Sequence, residues 1–205
     1  MLEFLAKGGV LVVPIALCSV IAVAIFLERL IRFSFLCRRG KGLEDRISAL
    51  VSARDDQRAS VLAIESRCPI GRILAQAIEV NRGDRETLET VMVHATDREV
   101  RYLSRYLQVL ATVGNIAPLL GLLGTVIGMI KAFMVIQQMG GKVNAAVLAG
   151  GIWEAMLTTA LGLAVALPAM LAHSYLTGRV NDFEARLQSG CVTFIKALAE
   201  RQLAL

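Results

Sequence analysis

The chain has 205 residues, of which 56% are apolar, 19% charged and only 5% aromatic, and its formal net charge is +5. That balance is too apolar for an ordinary water-soluble domain, and uncharged runs of 20 residues or more exclude a transmembrane β-barrel, whose strands alternate apolar and polar residues over about ten positions. The basic excess lies beside apolar runs and is not interleaved with aromatics, which speaks for orientation in a membrane and against a nucleic-acid partner.

The first predicted element is the uncharged run 8–27. At about 1.5 Å per residue it crosses the roughly 30 Å hydrocarbon core once. Lys7 ahead of it and Ala22-Val23-Ala24 within it imitate a cleaved leader. The cluster Arg29, Arg32, Arg38, Arg39 and Lys41 just beyond resists translocation and favours a retained span. The same cluster is placed to touch anionic membrane lipid, although a topological signal is the simpler reading.

Residues 28–105 hold most of the charge and read as a cytoplasmic helical region. A pattern with apolar Ile47, Leu50, Val51, Val61, Leu62 and Ile64 precedes a break at Cys68-Pro69-Ile70-Gly71, and a short helix is expected over 72–80. Asn81-Arg82-Gly83 ends it, and Asp84 can cap the next helix. No breaker stands between Asp84 and Gly114, so the second span is expected to continue out of the membrane as one long helix.

The second uncharged run covers 106–130 and closes with Lys131; the third, 143–178, carries Glu154 as its one charge. Ten basic residues flank one side (the five named, with Arg98, Arg101, Arg105, Arg179 and Arg186), against Lys7, Lys131 and Lys142 on the other. The N-terminus is therefore expected outside and the C-terminus in the cytoplasm. The resulting order is an outer N-terminus with span 1 (1–27), a cytoplasmic helical region (28–105), span 2 (106–136), a periplasmic turn (137–145), span 3 (146–178) and a cytoplasmic C-terminal helix (179–205). The expected fold class is an all-α integral membrane protein whose second and third helices extend into the cytoplasmic region.

At about 100° per residue, Gly114, Pro118, Gly121, Thr125 and Gly128 share one face of span 2. Gly151, Ala155, Thr158, Gly162, Ala166, Ala169 and His173 share a face of span 3, with Trp153, Leu157, Leu167 and Leu171 pointing away. In lipid no hydrophobic drive pairs helices, and small residues let backbones approach closely. Packing explains Glu154 poorly, since a charge deep in the bilayer costs on the order of 3 kcal/mol and marks a pathway or a bundle interior; the alternative is a structural carboxyl, protonated by desolvation, that bonds a neighbouring helix. Glu154 lies about 10 Å inside the outer boundary, and Thr158 and Thr159 about 17 Å. No Lys, Arg or second carboxylate is expected to face Glu154 from the other spans, so any ion relay needs a second protein or a second copy. Pro118 and Pro168 each interrupt the backbone ladder of a span.

The string LATVGNIAPLLGLLGTVIGMIKAF at 110–133 and the string LAGGIWEAMLTTALGLAVALPAM at 148–170 resemble the signature helices of the MotA/TolQ/ExbB proton channel family. The chain is most similar to the three-span TolQ/ExbB branch; flagellar MotA proteins have four spans. The resemblance implies an inner-membrane stator, a homopentamer around a pair of single-span partners of the ExbD/TolR type that carry a transmembrane Asp. It implies ion-pathway roles for Thr125, Glu154 and Thr159, and ion flow that turns the ring and delivers work across the periplasm. Thr158 stands where many members have an aliphatic residue. Two adjacent hydroxyls add oxygen ligands that suit a hard cation, so a sodium-driven version stands beside the proton-driven one.

A passive oligomeric scaffold is the alternative from another class. An enzyme is not expected, because no nucleophile and base pair, metal-ligand cluster or phosphate-cradling loop occurs at usable spacing. Cys18, Cys37, Cys68 and Cys191 are scattered, His94 and His173 isolated, and no cofactor or metal is expected.

Overall fold

Backbone polar groups that cross lipid must be satisfied within the segment, so the long uncharged runs have to fold as helices. The structure, a computed structural model, describes residues 10–39, 42–80, 85–138 and 145–203, and every element among them is a helix. These are α1 (Val12–Arg39), α2 (Leu43–Ser52), α3 (Asp56–Glu65), α4 (Pro69–Val80), α5 (Arg85–Ser104), α6 (Leu107–Gln138) and α7 (Ala145–Leu203). Three stretches are long and apolar enough to cross a membrane: Val12–Ser34, Arg85–Gln138 and Ala149–Arg201. Lys7, Lys41, the 81–84 break with its Asp84 cap, and the turn at 139–144 lie outside the described residues.

The chain divides into two packed units. The first contains the described residues up to Glu28 and Tyr106–Tyr175. In it α6 and α7 run antiparallel, and the glycines of one helix meet small residues of the other. A Cβ on Gly128 would lie 2.9 Å from that of Ala155, and one on Gly151 2.7 Å from that of Ala132. The buried stripe of α6 is Leu110, Gly114, Ala117, Gly121, Gly124, Gly128 and Ala132, so Gly124, Ala117 and Ala132 join the expected face while Pro118 and Thr125 sit on its flank. On α7, Ala155, Thr158, Gly162, Ala166 and Ala169 are buried as the helical period requires. Trp153, Leu167 and Leu171 are exposed, as is expected of lipid-facing or subunit-facing residues. Both helices run through their prolines without a break. Ser19, Ala22 and Phe26 of α1 and Ala164, Pro168 and Ala172 of α7 line an open apolar groove of about 500 Å³.

The second unit contains Arg29–Arg105 and Leu176–Leu205. Here water supplies the hydrophobic drive, and each short helix buries one stripe: Leu43, Ile47 and Val51 of α2, Ala59 and Ala63 of α3, Leu88, Met92, Ala95 and Leu103 of α5. The single apolar pattern expected over 47–64 is two helices. Arg54 turns left-handed at φ 62°, and Asp55 caps α3 by accepting from the Arg58 amide at 3.1 Å. Val61 and Ile64, counted in that pattern, are exposed. Pro69 opens α4 instead of interrupting the chain, because a first-turn proline lacks only an amide that would have no helical partner anyway. Arg72 and Glu99 tie α4 to α5 through Nε–Oε1 at 2.9 Å; this hydrogen bond holds the guanidinium pKa above its usual value. Arg201 of α7 reaches Asp56 at 2.7 Å. Burial pushes the Cys191 thiol up, against a smaller pull from the Thr96 hydroxyl 3.8 Å away.

The run 85–138, expected as one helix, is interrupted at Arg105 and Tyr106, where Tyr106 adopts φ 69°. Carbonyls in the last turn of α5 then need donors from outside the regular ladder. Arg29, only 1% exposed, supplies two of them: its Nη1 donates to the carbonyls of Tyr102 at 3.2 Å and Leu103 at 3.3 Å. Arg32 stacks over the Tyr102 ring at 4.7 Å. A residue counted from sequence as a topological charge thus closes a helix end.

Two stability predictions follow from these contacts. A Cβ at Gly162 would lie 2.6 Å from the Ala117 carbonyl oxygen, so Gly162→Ala costs about 1–3 kcal/mol. Gly178→Ala, with nothing within 4 Å, leaves the melting temperature unchanged or slightly raised. Circular dichroism melts of the detergent-solubilised protein separate the two. Arg29→Leu strips buried carbonyls of a donor and lowers stability by about 1–3 kcal/mol in the same melts, whereas Arg85→Leu, whose pair with Glu89 is exposed, changes it by less than about 1 kcal/mol.

Candidate functional site

Thr158, Thr159 and Glu154 are placed by the α6–α7 contact. Gly121 lets the backbone of α7 come so close that a Cβ there would stand 3.0 Å from the Thr159 Cα. The Thr159 hydroxyl donates across the gap to the Gly121 carbonyl at 2.9 Å. Such a bond is worth about 1 kcal/mol in lipid, and it locks the register of the two helices at mid-contact.

Thr158 is 2% exposed and packs on Gly124, where a Cβ would stand 2.6 Å from its own. Its hydroxyl donates back to the Ala155 carbonyl at 2.7 Å. The two adjacent hydroxyls are therefore turned to different tasks, one to its own helix and one to the neighbour, and their oxygens are not pooled at one point. Thr125 is partly exposed on the flank of the stripe and donates to Leu122 within α6 at 2.6 Å.

Glu154 has the partner that the sequence was read as lacking. Lys131 Nζ lies 3.3 Å from Glu154 Oε1, with the Lys side chain 54% exposed and the Glu side chain 30% exposed. The antiparallel register explains it: Gly128 faces Ala155 and Ala132 faces Gly151, which puts 131 and 154 side by side at the edge of the same contact. That small-residue register was the available signal for pairing 131 with 154. In the sequence Lys131 ends an uncharged run and so reads as a boundary marker.

Among the four anticipated residues, the structure gathers Thr158 and Thr159 on the glycine stripe, puts Glu154 beside Lys131, and leaves Thr125 hydrogen-bonded within its own helix. The arrangement offers a charge-compensated carboxylate and hydroxyls whose protons are committed to carbonyls. Among the described residues no group of three His, Cys, Asp or Glu is placed to hold a metal ion.

The family model for the MotA/TolQ/ExbB proton channel family matches residues 65–189, which include α6 and the intramembrane part of α7. An ExbB homolog from Methanothermobacter thermautotrophicus is 31% identical over 88% of this chain, which spans 64% of that protein's length. The biopolymer transport protein ExbB of Salmonella typhimurium is 32% identical over 85% of this chain and 75% of its own. The Tol-Pal system protein TolQ of Haemophilus influenzae is 42% identical over 44% of this chain and 39% of its own. With a family model covering more than half of its length and these similarities to ExbB and TolQ, the three-span chain belongs to the MotA/TolQ/ExbB proton channel family, in its ExbB/TolQ branch.

Proposed function

We propose that this chain is the inner-membrane stator and channel subunit of an ion-driven motor, with its N-terminus in the periplasm and its C-terminus in the cytoplasm. Five copies would surround a pair of single-span partners of the ExbD/TolR type, whose transmembrane Asp takes up the ion. The observation that carries the reading is the strip of polar groups at graded depth along a small-residue helix pair: Glu154 toward one end, then Thr158 and Thr159, with Thr125 on the facing helix. An ionisable residue inside a membrane helix marks an ion pathway more often than a packing contact. The family match over 65–189 supports the same reading.

In this mechanism the chain's residues set the path and do not themselves carry the ion as cargo. Glu154 and its ammonium neighbour form the polar mouth. Thr159 keeps α6 and α7 in register at mid-depth, and Thr125 presents an oxygen beside the stripe. Each charge moved down the membrane potential supplies about 2.3 kcal/mol per 100 mV for turning the ring against its partner pair.

The discriminating experiment uses the chain co-expressed with the small single-span protein encoded beside it. Native mass measurement of the complex is expected to return five copies of this chain and two of the partner. In proteoliposomes with an imposed potential and a trapped pH dye, Glu154→Gln is expected to leave that stoichiometry intact and to lower proton flux at least about tenfold, a loss of about 1.4 kcal/mol in the barrier. Unchanged flux in the assembled variant would return the chain to the scaffold class.

A further inference from the structure

The Lys131–Glu154 pair is the whole formal charge of the described intramembrane surface. α1 carries no charged residue from Val12 to Leu27, Lys131 is the one charge of α6, and Glu154 is the one charge of α7 before Arg179. Nothing else on these helices competes for either partner. The pair is also held by rigid elements: the Gly128–Ala155 and Ala132–Gly151 contacts bracket it along both helices. The Lys side chain is four carbons long and half exposed, and its ammonium lies 3.3 Å from the carboxylate.

A carboxylate at this depth is otherwise the obvious oxygen ligand for an alkali cation. Sodium needs several oxygens at short range. The neighbouring hydroxyl of Thr158 is turned toward the Ala155 carbonyl, and helix carbonyls are engaged in their own ladder. An incoming cation would therefore have to share one carboxylate with an ammonium already in contact, placing two positive charges side by side. The charge repulsion opposes a proton as well, but a proton passing the mouth needs no shell of oxygens, so the shortage of free ligands that bars sodium does not bar it.

We propose that Lys131 is the specificity-determining residue of the Glu154 site: a tethered cation that occupies the carboxylate and excludes sodium and potassium from it. This inference deepens the channel reading above by naming what makes the mouth selective, and it departs from the sodium option raised by the paired threonines.

The test is a thermal melt of the full-length protein in detergent, in sodium chloride and in N-methylglucamine chloride at equal ionic strength. It needs neither partner nor flux, so it stands apart from the motor assay. Wild type and Lys131→Arg are expected to melt at the same temperature in both salts. Lys131→Gln frees the carboxylate and should melt roughly 2–4 °C higher in sodium than in N-methylglucamine. The double variant Lys131→Gln with Glu154→Gln should lose that response. A folded Lys131→Gln that ignores sodium overturns the proposal. So does a wild-type protein stabilised by sodium in a manner that Glu154→Gln abolishes, an outcome readable even if every Lys131 variant fails to fold. In proteoliposomes with the partner, Lys131→Gln should admit a sodium current that wild type lacks; equal sodium currents in the two would likewise refute it.

Discussion

Two helices in lipid gain nothing by hiding apolar surface from each other, since the acyl chains are as apolar as leucine. What remains is contact between backbones, and only small side chains permit it. In this chain the constraint is met by Gly114, Gly121, Gly124, Gly128 and Gly151, with alanines opposite two of them, and by Gly162 meeting the Ala117 carbonyl. Thr158, Thr159 and the Lys131–Glu154 pair take their positions from that close approach. Thr159 reaches the Gly121 carbonyl because no side chain stands between them, and Lys131 meets Glu154 because the register on either side allows no slippage.

The second unit runs on the opposite physics. Water drives apolar stripes together, so its helices are short, amphipathic and held at their ends by charge: Asp55 at the start of α3, Arg72 on Glu99, Arg201 on Asp56. Arg29 stands at the head of this unit and shows why the count of flanking charges and the architecture agree. A guanidinium beyond an apolar span is a topological signal by its charge. Its planar fork also makes it a good donor to helix-end carbonyls, and Tyr102 and Leu103 need donors because two non-helical residues, Arg105 and Tyr106, part α5 from α6.

How much was legible follows from which interactions are periodic. The α7 face was readable because Ala155, Thr158, Gly162, Ala166 and Ala169 repeat at helical spacing and nothing else competes for that face. The α6 face was readable only in part: Gly114, Gly121 and Gly128 lie on it, but the buried stripe runs on the side of Ala117, Gly124 and Ala132, and the 4-3-4-3 spacing through Pro118 and Thr125 follows its other flank. The breaks at Arg54 and Tyr106 were invisible because each is a single left-handed non-glycine residue, with no Gly or Pro to announce it. At the first break the backbone closes on itself, the Arg54 amide donating to the Val51 carbonyl and the Asp55 amide to that of Leu50, a closure that ordinarily uses glycine. The Lys131 pairing was invisible for another reason, since pairing across antiparallel helices depends on a register that one helix alone does not carry.

The same reasoning bears on why a threonine stands at 158. On a path for a hard cation, a second hydroxyl beside Thr159 would be an extra ligand. In the structure its oxygen is satisfied by its own helix and its methyl and Cβ fill the notch left by Gly124. Valine would fill the notch equally well in volume, but it could not bond the Ala155 carbonyl. A β-branched residue with a self-satisfying hydroxyl is thus a packing solution for a helix in lipid, where each unpaired polar atom is costly and each paired one is nearly free. The oxygen that selects an ion must be one that the fold has not already spent, and beside Glu154 the fold has set an ammonium against even that one.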